Sequence, residues 1–309
     1  MFKSKHSVSA LPEERNWFRL LVQLRGSVVA AILPRVALCA GFSCFVSFLH
    51  AQGYPVYLPV LSGLVPAIVL GLLLVFRTNT AYERFWEGRK CWGGIFITGV
   101  NIASQMWVAV KEVRPEDREE KKAIARLLIA FAIASKHHLR LEPMSREIAR
   151  FLPPQQFEQF QKMQSPPLQI VFLIRDYLQR KYEENCLNSY QLSALFELLD
   201  LIGQHLGACE RILRTPVPLA YSIHLKQLLT LYCFTLPFTL VDDLQWWTAA
   251  VVSLISFTVF GIEEIGIEIE NPFGYDANDL PLDSICSGLE RDIEDLLSLD
   301  NHYASSNRQ

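Results

Sequence analysis

Residues 57–76 read YLPVLSGLVPAIVLGLLLVF, and Arg77 follows at once. The stretch holds no Asp, Glu, Lys, Arg or His. Wound as a helix it would rise about 30 Å, the thickness of a bilayer's hydrocarbon core. Upstream, Arg35 is the only formally charged residue between Ala30 and Phe76, which leaves room for a second pass. Downstream, Gln227–Val241 and Leu244–Ile262 are also free of formal charge. The reading is four membrane segments in two pairs, at about Val28–His50, Tyr57–Phe76, Leu219–Val241 and Leu244–Ile262. Lys226 interrupts the third.

Composition agrees without deciding the matter. The chain has 309 residues, 50% of them apolar, a formal net charge of −3 and a positive mean hydropathy. No basic stripe with interleaved aromatics occurs, which argues against a nucleic-acid partner. The 7 cysteines are scattered without a CxxC, a pattern of reduced thiols rather than of a disulfide framework. The N-terminal stretch lacks the apolar core and cleavage site of a signal peptide.

Orientation follows from the basic residues. Lys3, Lys5, Arg15, Arg19 and Arg25 precede the first apolar run, and Arg77, Arg84, Arg89 and Lys90 follow the second. The links Ala51–Val56 and Asp242–Leu244 carry no Lys or Arg. Both termini and the long middle region are therefore expected on the cytoplasmic side. That divides the chain into 1–27, a cytoplasmic N-terminal segment; 28–76, two membrane helices; 77–215, a cytoplasmic helical domain; 216–263, two more membrane helices; and 264–309, a cytoplasmic C-terminal segment. The middle region reads as helix throughout. Pro115–Lys122 opens a helix on the surface, with acids in its first turn. Pro153-Pro154 and Pro166-Pro167 mark breaks. Tyr190–Leu213 is amphipathic at helical spacing, and no alternating strand pattern of any length is found. The expected fold is an all-α membrane protein, four transmembrane helices carrying a helical cytoplasmic domain.

The stretch from Phe76 to Arg89, FRTNTAYERFWEGR, resembles the end of the second membrane helix in prokaryotic and plant bestrophins. Asn271-Pro-Phe-Gly274 is similar to that family's NPFG signature, and Arg25-Gly-Ser27 and Pro216-Val-Pro-Leu-Ala-Tyr221 match in the same order. The resemblance is closest to the bacterial branch and to plant thylakoid voltage-dependent chloride channels. It implies a homopentamer around one central pore, which passes chloride and similar monovalent anions in some members and cations in others. It implies a hydrophobic neck at Ile68, Leu72 and Phe76. Their spacing puts all three on one helix face, an arrangement that equally suits a packing or lipid-facing stripe. Hydrophobic constrictions gate by dewetting. Arg77 would stand at the pore mouth, or only set topology. The cytoplasmic aperture would fall near Tyr190, with Leu187 a neighbour.

A calcium clamp of the animal branch would map onto Ala10, Glu268, Asn271, Asp276 and Asp279, though Tyr275, Ala277 and Asn278 interrupt the acidic run. No cofactor is otherwise required. Pro66, inside the second segment, would act as a gating pivot or a fixed bend. Arg35 would snorkel to the interface, line an ion path or bind a lipid headgroup. His205 and Cys209 share a face, and His137 and His138 do not; all are read as structural. No phosphate loop, Ser-His-Asp arrangement or HExxH motif points to an enzyme. A secondary transporter and a membrane scaffold remain as rival classes. The expected location is a bacterial plasma membrane or a thylakoid membrane, with lipid, the permeating ion and further copies of the chain as partners.

Overall fold

The computed structural model describes residue 23 and residues 26–58 and 64–306. Every regular element among them is helical: α1 Val29–Ala51, α2 Leu64–Ala109, α3 Asp117–Leu139, α4 Pro154–Phe160, α5 Pro166–Glu183, α6 Ser189–Arg214, α7 Leu219–Leu244, α8 Thr248–Glu268 and α9 Leu282–Ser306. The chain divides into two compact units. The first contains the chain up to Thr78, Ile223–Gly266 and Asp276–Asn278; the second contains Asn79–Ser222, Ile267–Tyr275 and the chain from Asp279 onward.

The first unit is made of apolar helices that leave much of their apolar surface outside. Leu33, Leu38, Phe45, Val65, Ile68 and Leu72 are each more than half exposed. Such a surface is tolerated where the surroundings are apolar too. Val29–Ala51, Val65–Ala109 and the run Leu219–Glu268 are long and apolar enough, by length and composition, to cross a membrane. That last run is not one straight rod. Gln245, in a 3-10 turn at Gln245–Trp247, has φ of 48°, and the chain reverses there. Lys226 Nζ consequently lies 4.0 Å from Glu263 Oε1. In an unbroken helix these residues would be about 55 Å apart. So α7 and α8 form an antiparallel hairpin. The hairpin packs on α1 through Phe42, whose ring meets Phe234 at 4.9 Å and Phe238 at 5.8 Å, both edge-on. Ser47 Oγ donates to the main-chain oxygen of Gln245 at 3.0 Å, capping the turn.

Pro66 lies near the start of the described part of α2.

The second unit has a conventional core. α3 supplies Leu128, Ile129, Phe131 and Ile133, all essentially inaccessible, and packs chiefly on α5 and α9. α6 buries Leu195, Leu199, Ile202, Leu206 and Cys209, a stripe advancing alternately by four and three. Its start is fixed by a capping box between Asn188 and Gln191. The paired prolines open α4 and α5 rather than merely breaking the chain.

The acidic start of α3 corrects the sequence reading in one place. Asp117 is not on the surface: its side chain is 2% exposed. Its Oδ2 accepts from the main-chain N–H groups of Val113 at 3.0 Å and Arg114 at 2.8 Å. Its Oδ1 accepts from Lys181 Nζ at 2.9 Å. Lys181, 1% exposed, also reaches Glu120 at 3.0 Å and Glu184 at 3.1 Å. The Arg114 N–H, then Lys181 and the Val113 N–H, hold the Asp117 carboxyl far below the usual carboxylate range.

Candidate functional site

The three expected neck residues lie together on the open face of α2. Ile68 is 58%, Leu72 54% and Phe76 55% exposed. They cover about 80° of arc, and the buried residues Leu70, Leu74, Arg77 and Ala81 centre on the opposite side of the helix. Followed toward the C-terminus, the open face changes character without changing direction. Asn79, Glu83 and Lys90 occupy the same angular sector and are exposed. The face is thus apolar up to Phe76 and polar from Asn79.

Arg77, read as standing at a pore mouth or only setting topology, is turned off the stripe, since one residue advances a helix by about 100°. Its side chain is 3% exposed within the first unit, where its Cγ comes 3.5 Å from the position a Cβ on Gly266 would take.

Arg77 there belongs to a cluster around Glu263 that the sequence reading missed. Glu263, 3% exposed, feels the charges of Lys226, Arg35 and Arg77. Arg35 Nη1 donates to Glu264 at 2.9 Å and to Glu263 at 3.4 Å. Arg35 is therefore paired to protein, not simply snorkelling, although its side chain remains 44% exposed. A carboxylate pair abutting an apolar run was the available signal. The run had been closed at Ile262 because charges begin there, yet α8 continues to Glu268.

The expected aperture residues separate. Tyr190, in the first turn of α6, is 87% exposed and lines an open cavity of about 510 Å³ with Ser104, Gln105, Val108 and Ala194. Leu187 is 5% exposed and lies in the core of the second unit.

The residues that carry the family resemblance meet one another. Gly88, in the α2 motif, packs on the NPFG turn so closely that a Cβ would lie 3.0 Å from Pro272 and 3.2 Å from the Phe273 ring. Phe273 is fully buried. Arg84 donates from Nε to the Glu270 carbonyl at 3.1 Å, from Nη2 to that of Ile212 at 2.7 Å, and from Nη1 to that of Thr215. The Glu270 carboxylate in turn accepts from Val217 N–H at 2.8 Å. Three otherwise orphaned main-chain acceptors are satisfied by one guanidinium, which fixes where α6 ends and the Pro-Val-Pro linker begins.

Of the residues mapped to a calcium clamp, Ala10 lies outside the described residues. Asn271 and Asp279 close around Gly274, where a Cβ would come 2.7 Å from Asp279 Oδ2. Glu268 ends α8, and Asp276 groups with the first unit. Among the described residues no three His, Cys, Asp or Glu side chains converge to hold a metal ion. His137 bonds Glu142 and His138 bonds Glu210, each at 2.7 Å. His205 packs its ring on the α2 backbone at Gly94, and burial lowers its pKa.

The family described as bacterial and fungal bestrophin proteins matches residues 9–295. A voltage-dependent anion channel-forming protein of Nostoc is 56% identical over 292 residues, 94% of this chain and 95% of that protein. A protein of the same description from Synechocystis is 53% identical over 285 residues, 92% of this chain and 93% of that protein. A solved bacterial bestrophin homologue from Klebsiella pneumoniae superposes with a TM-score of 0.78 at 29% identity, covering 86% of this chain and 98% of that one. With its helices, its paired motifs and nearly its whole length matched, this chain belongs to the bestrophin family.

Proposed function

We propose that the chain is the subunit of a passive, homopentameric channel for chloride and similar monovalent anions. In this reading α1, the first part of α2, α7 and α8 cross the membrane, and both termini lie on the cytoplasmic side. The α2 helices line one central pore, with Ile68, Leu72 and Phe76 as its neck. A ring of such side chains passes ions only when wide enough to stay wet. The observation that carries the proposal is the continuous open face of α2, apolar to Phe76 and polar from Asn79. The relatives named as anion channel-forming proteins support the choice of ion. Planar-bilayer recordings of the purified protein under a chloride salt gradient test it. Reversal near the chloride potential, with conductance raised by Phe76→Ala, is the expected result. Absence of current from intact oligomers would end the channel reading.

A cation-selective pore is the second reading, and a specific observation favours it. Glu83 is exposed on the open face of α2 while Arg77 is turned away from it. Reversal near the cation potential, moved toward the anion potential by Glu83→Gln, would select this alternative.

A further inference from the structure

A groove of about 300 Å³ lies in the first unit among α1, α7 and α8, lined by Pro34, Leu38, Thr230, Phe234 and Phe260 with Arg35 at its edge. Three helices show the same layering around it. Leu38 lies one turn beyond Arg35, Thr230 one turn beyond Lys226, and Phe260 one turn before Glu263 and Glu264. On each helix the charge is nearer the outer end and the groove residue nearer the middle of the span. Arg35 itself is about 9 Å from the start of α1, the depth at which headgroups give way to acyl chains.

The charges are sorted by exposure. The cations face outward, with side chains 44% exposed at Arg35 and 56% at Lys226, while the carboxylates of Glu263 and Glu264 are 4% and 14% exposed. Both bonds that Arg35 makes to these acids use Nη1. Its Nη2 and Nε donate to no group among the described residues, and the side chain is partly exposed. Lys226 Nζ stands 4.0 Å from its acid, too far for a hydrogen bond. An apolar slot with free guanidinium donors at its headgroup end matches a phosphodiester joined to an acyl chain.

We propose that this groove binds one anionic phospholipid from the surrounding leaflet, its phosphate on Arg35 and Lys226 and one acyl chain along Leu38, Phe234 and Phe260. The site is separate from the open face of α2. It does not depend on which ion the protein conducts.

The test is native mass spectrometry, with thermal melting, of the detergent-solubilised full chain supplied with phosphatidylglycerol, phosphatidylcholine, oleate or inorganic phosphate. Phosphatidylglycerol should be retained about fivefold or more over phosphatidylcholine, the preference one interfacial cation confers. Thr230→Trp fills the slot without touching an ion pair and should abolish retention. Leu38→Gln, at the exposed rim, should weaken it severalfold and guards against a Thr230 variant that does not fold. Arg35→Lys keeps the charge but loses the fork, and should reduce the preference for phosphatidylglycerol. Equal retention of the two phospholipids would overturn the proposal, as would undiminished retention in both slot variants. Oleate bound as well as phosphatidylglycerol would mean a fatty-acid site instead. Stabilisation by inorganic phosphate alone would mean an anion site without a lipid.

Discussion

Between Val65 and Phe76, α2 buries only Leu70 and Leu74; between Ala81 and Met106 it buries Cys91, Trp92, Ile95, Ile102, Ala103 and Met106. One continuous helix therefore meets two kinds of surroundings. Its first part leaves apolar side chains outside, where in water each would cost on the order of 1 kcal/mol or more. Its second part does what a helix of a water-soluble domain does, turning one face to a core and the other to solvent. The glycines mark the same divide. A Cβ on Gly71 would meet nothing within 4 Å, whereas one on Gly94 would overlap the His205 ring. Packing is concentrated in the second part.

Substitutions on the two parts should separate accordingly. The largest loss is expected from Trp92→Ala, about 3–5 kcal/mol of folding stability, because a fully buried indole is removed from the core. Thermal denaturation in detergent reads it. Leu72→Ala, on the open face, should change stability by about 0.5 kcal/mol or less while altering single-channel conductance. Equal losses from the two would erase the contrast. Gly94→Ala should come next, at about 1–3 kcal/mol, because neither the His205 ring nor the backbone can easily give way.

A smaller effect belongs to acid solution. Asp117 follows the end of α2 and accepts both N–H groups of the connecting turn. Its carboxyl titrates lower in the folded protein than in the unfolded chain, whose value is near 3.8. The stability it contributes is therefore fully present above that value and is lost as pH falls below it. The melting temperature should hold between pH 8 and about 5, then drop in acid. Asp117→Asn should lower the plateau and flatten the drop; an unchanged acid profile would deny the carboxylate this role. The smallest change is Gly71→Ala, which should stabilise α2 by about 0.5–1 kcal/mol through the unfolded chain alone. A loss there would mean that the first part of α2 is more tightly packed than its open surroundings imply.

How far these features could be read beforehand depended on whether the signal was local. The start of α6 was readable at Tyr190, one residue from the structure's Ser189, because its apolar stripe repeats along a single helix. The neck residues were nameable only through the family motif, since Ile68, Leu72 and Phe76 also satisfy a packing stripe. Asp117 was misplaced because an acid in a helix's first turn usually faces water, and its partner Lys181 lies 64 residues away. Glu263 and Glu264 were passed over because a charge ordinarily ends a membrane helix. Their distant cations, Arg35 and Lys226 among them, let α8 carry them inward.

The pairing of Arg35 with the acids of α8 also has a meaning in time. Glu263 is synthesised 228 residues after Arg35. At about 5–20 residues per second, that is an interval of roughly 10–45 s. During it, the Arg35 guanidinium lacks the two acids it pairs with in the folded chain. Residues 79–222 of the second unit are made in that interval, before the first unit can close. Closure of the first unit then waits for the hairpin of α7 and α8, and a nascent chain truncated before Glu263 should lack the ion pairs that join α1 to α8.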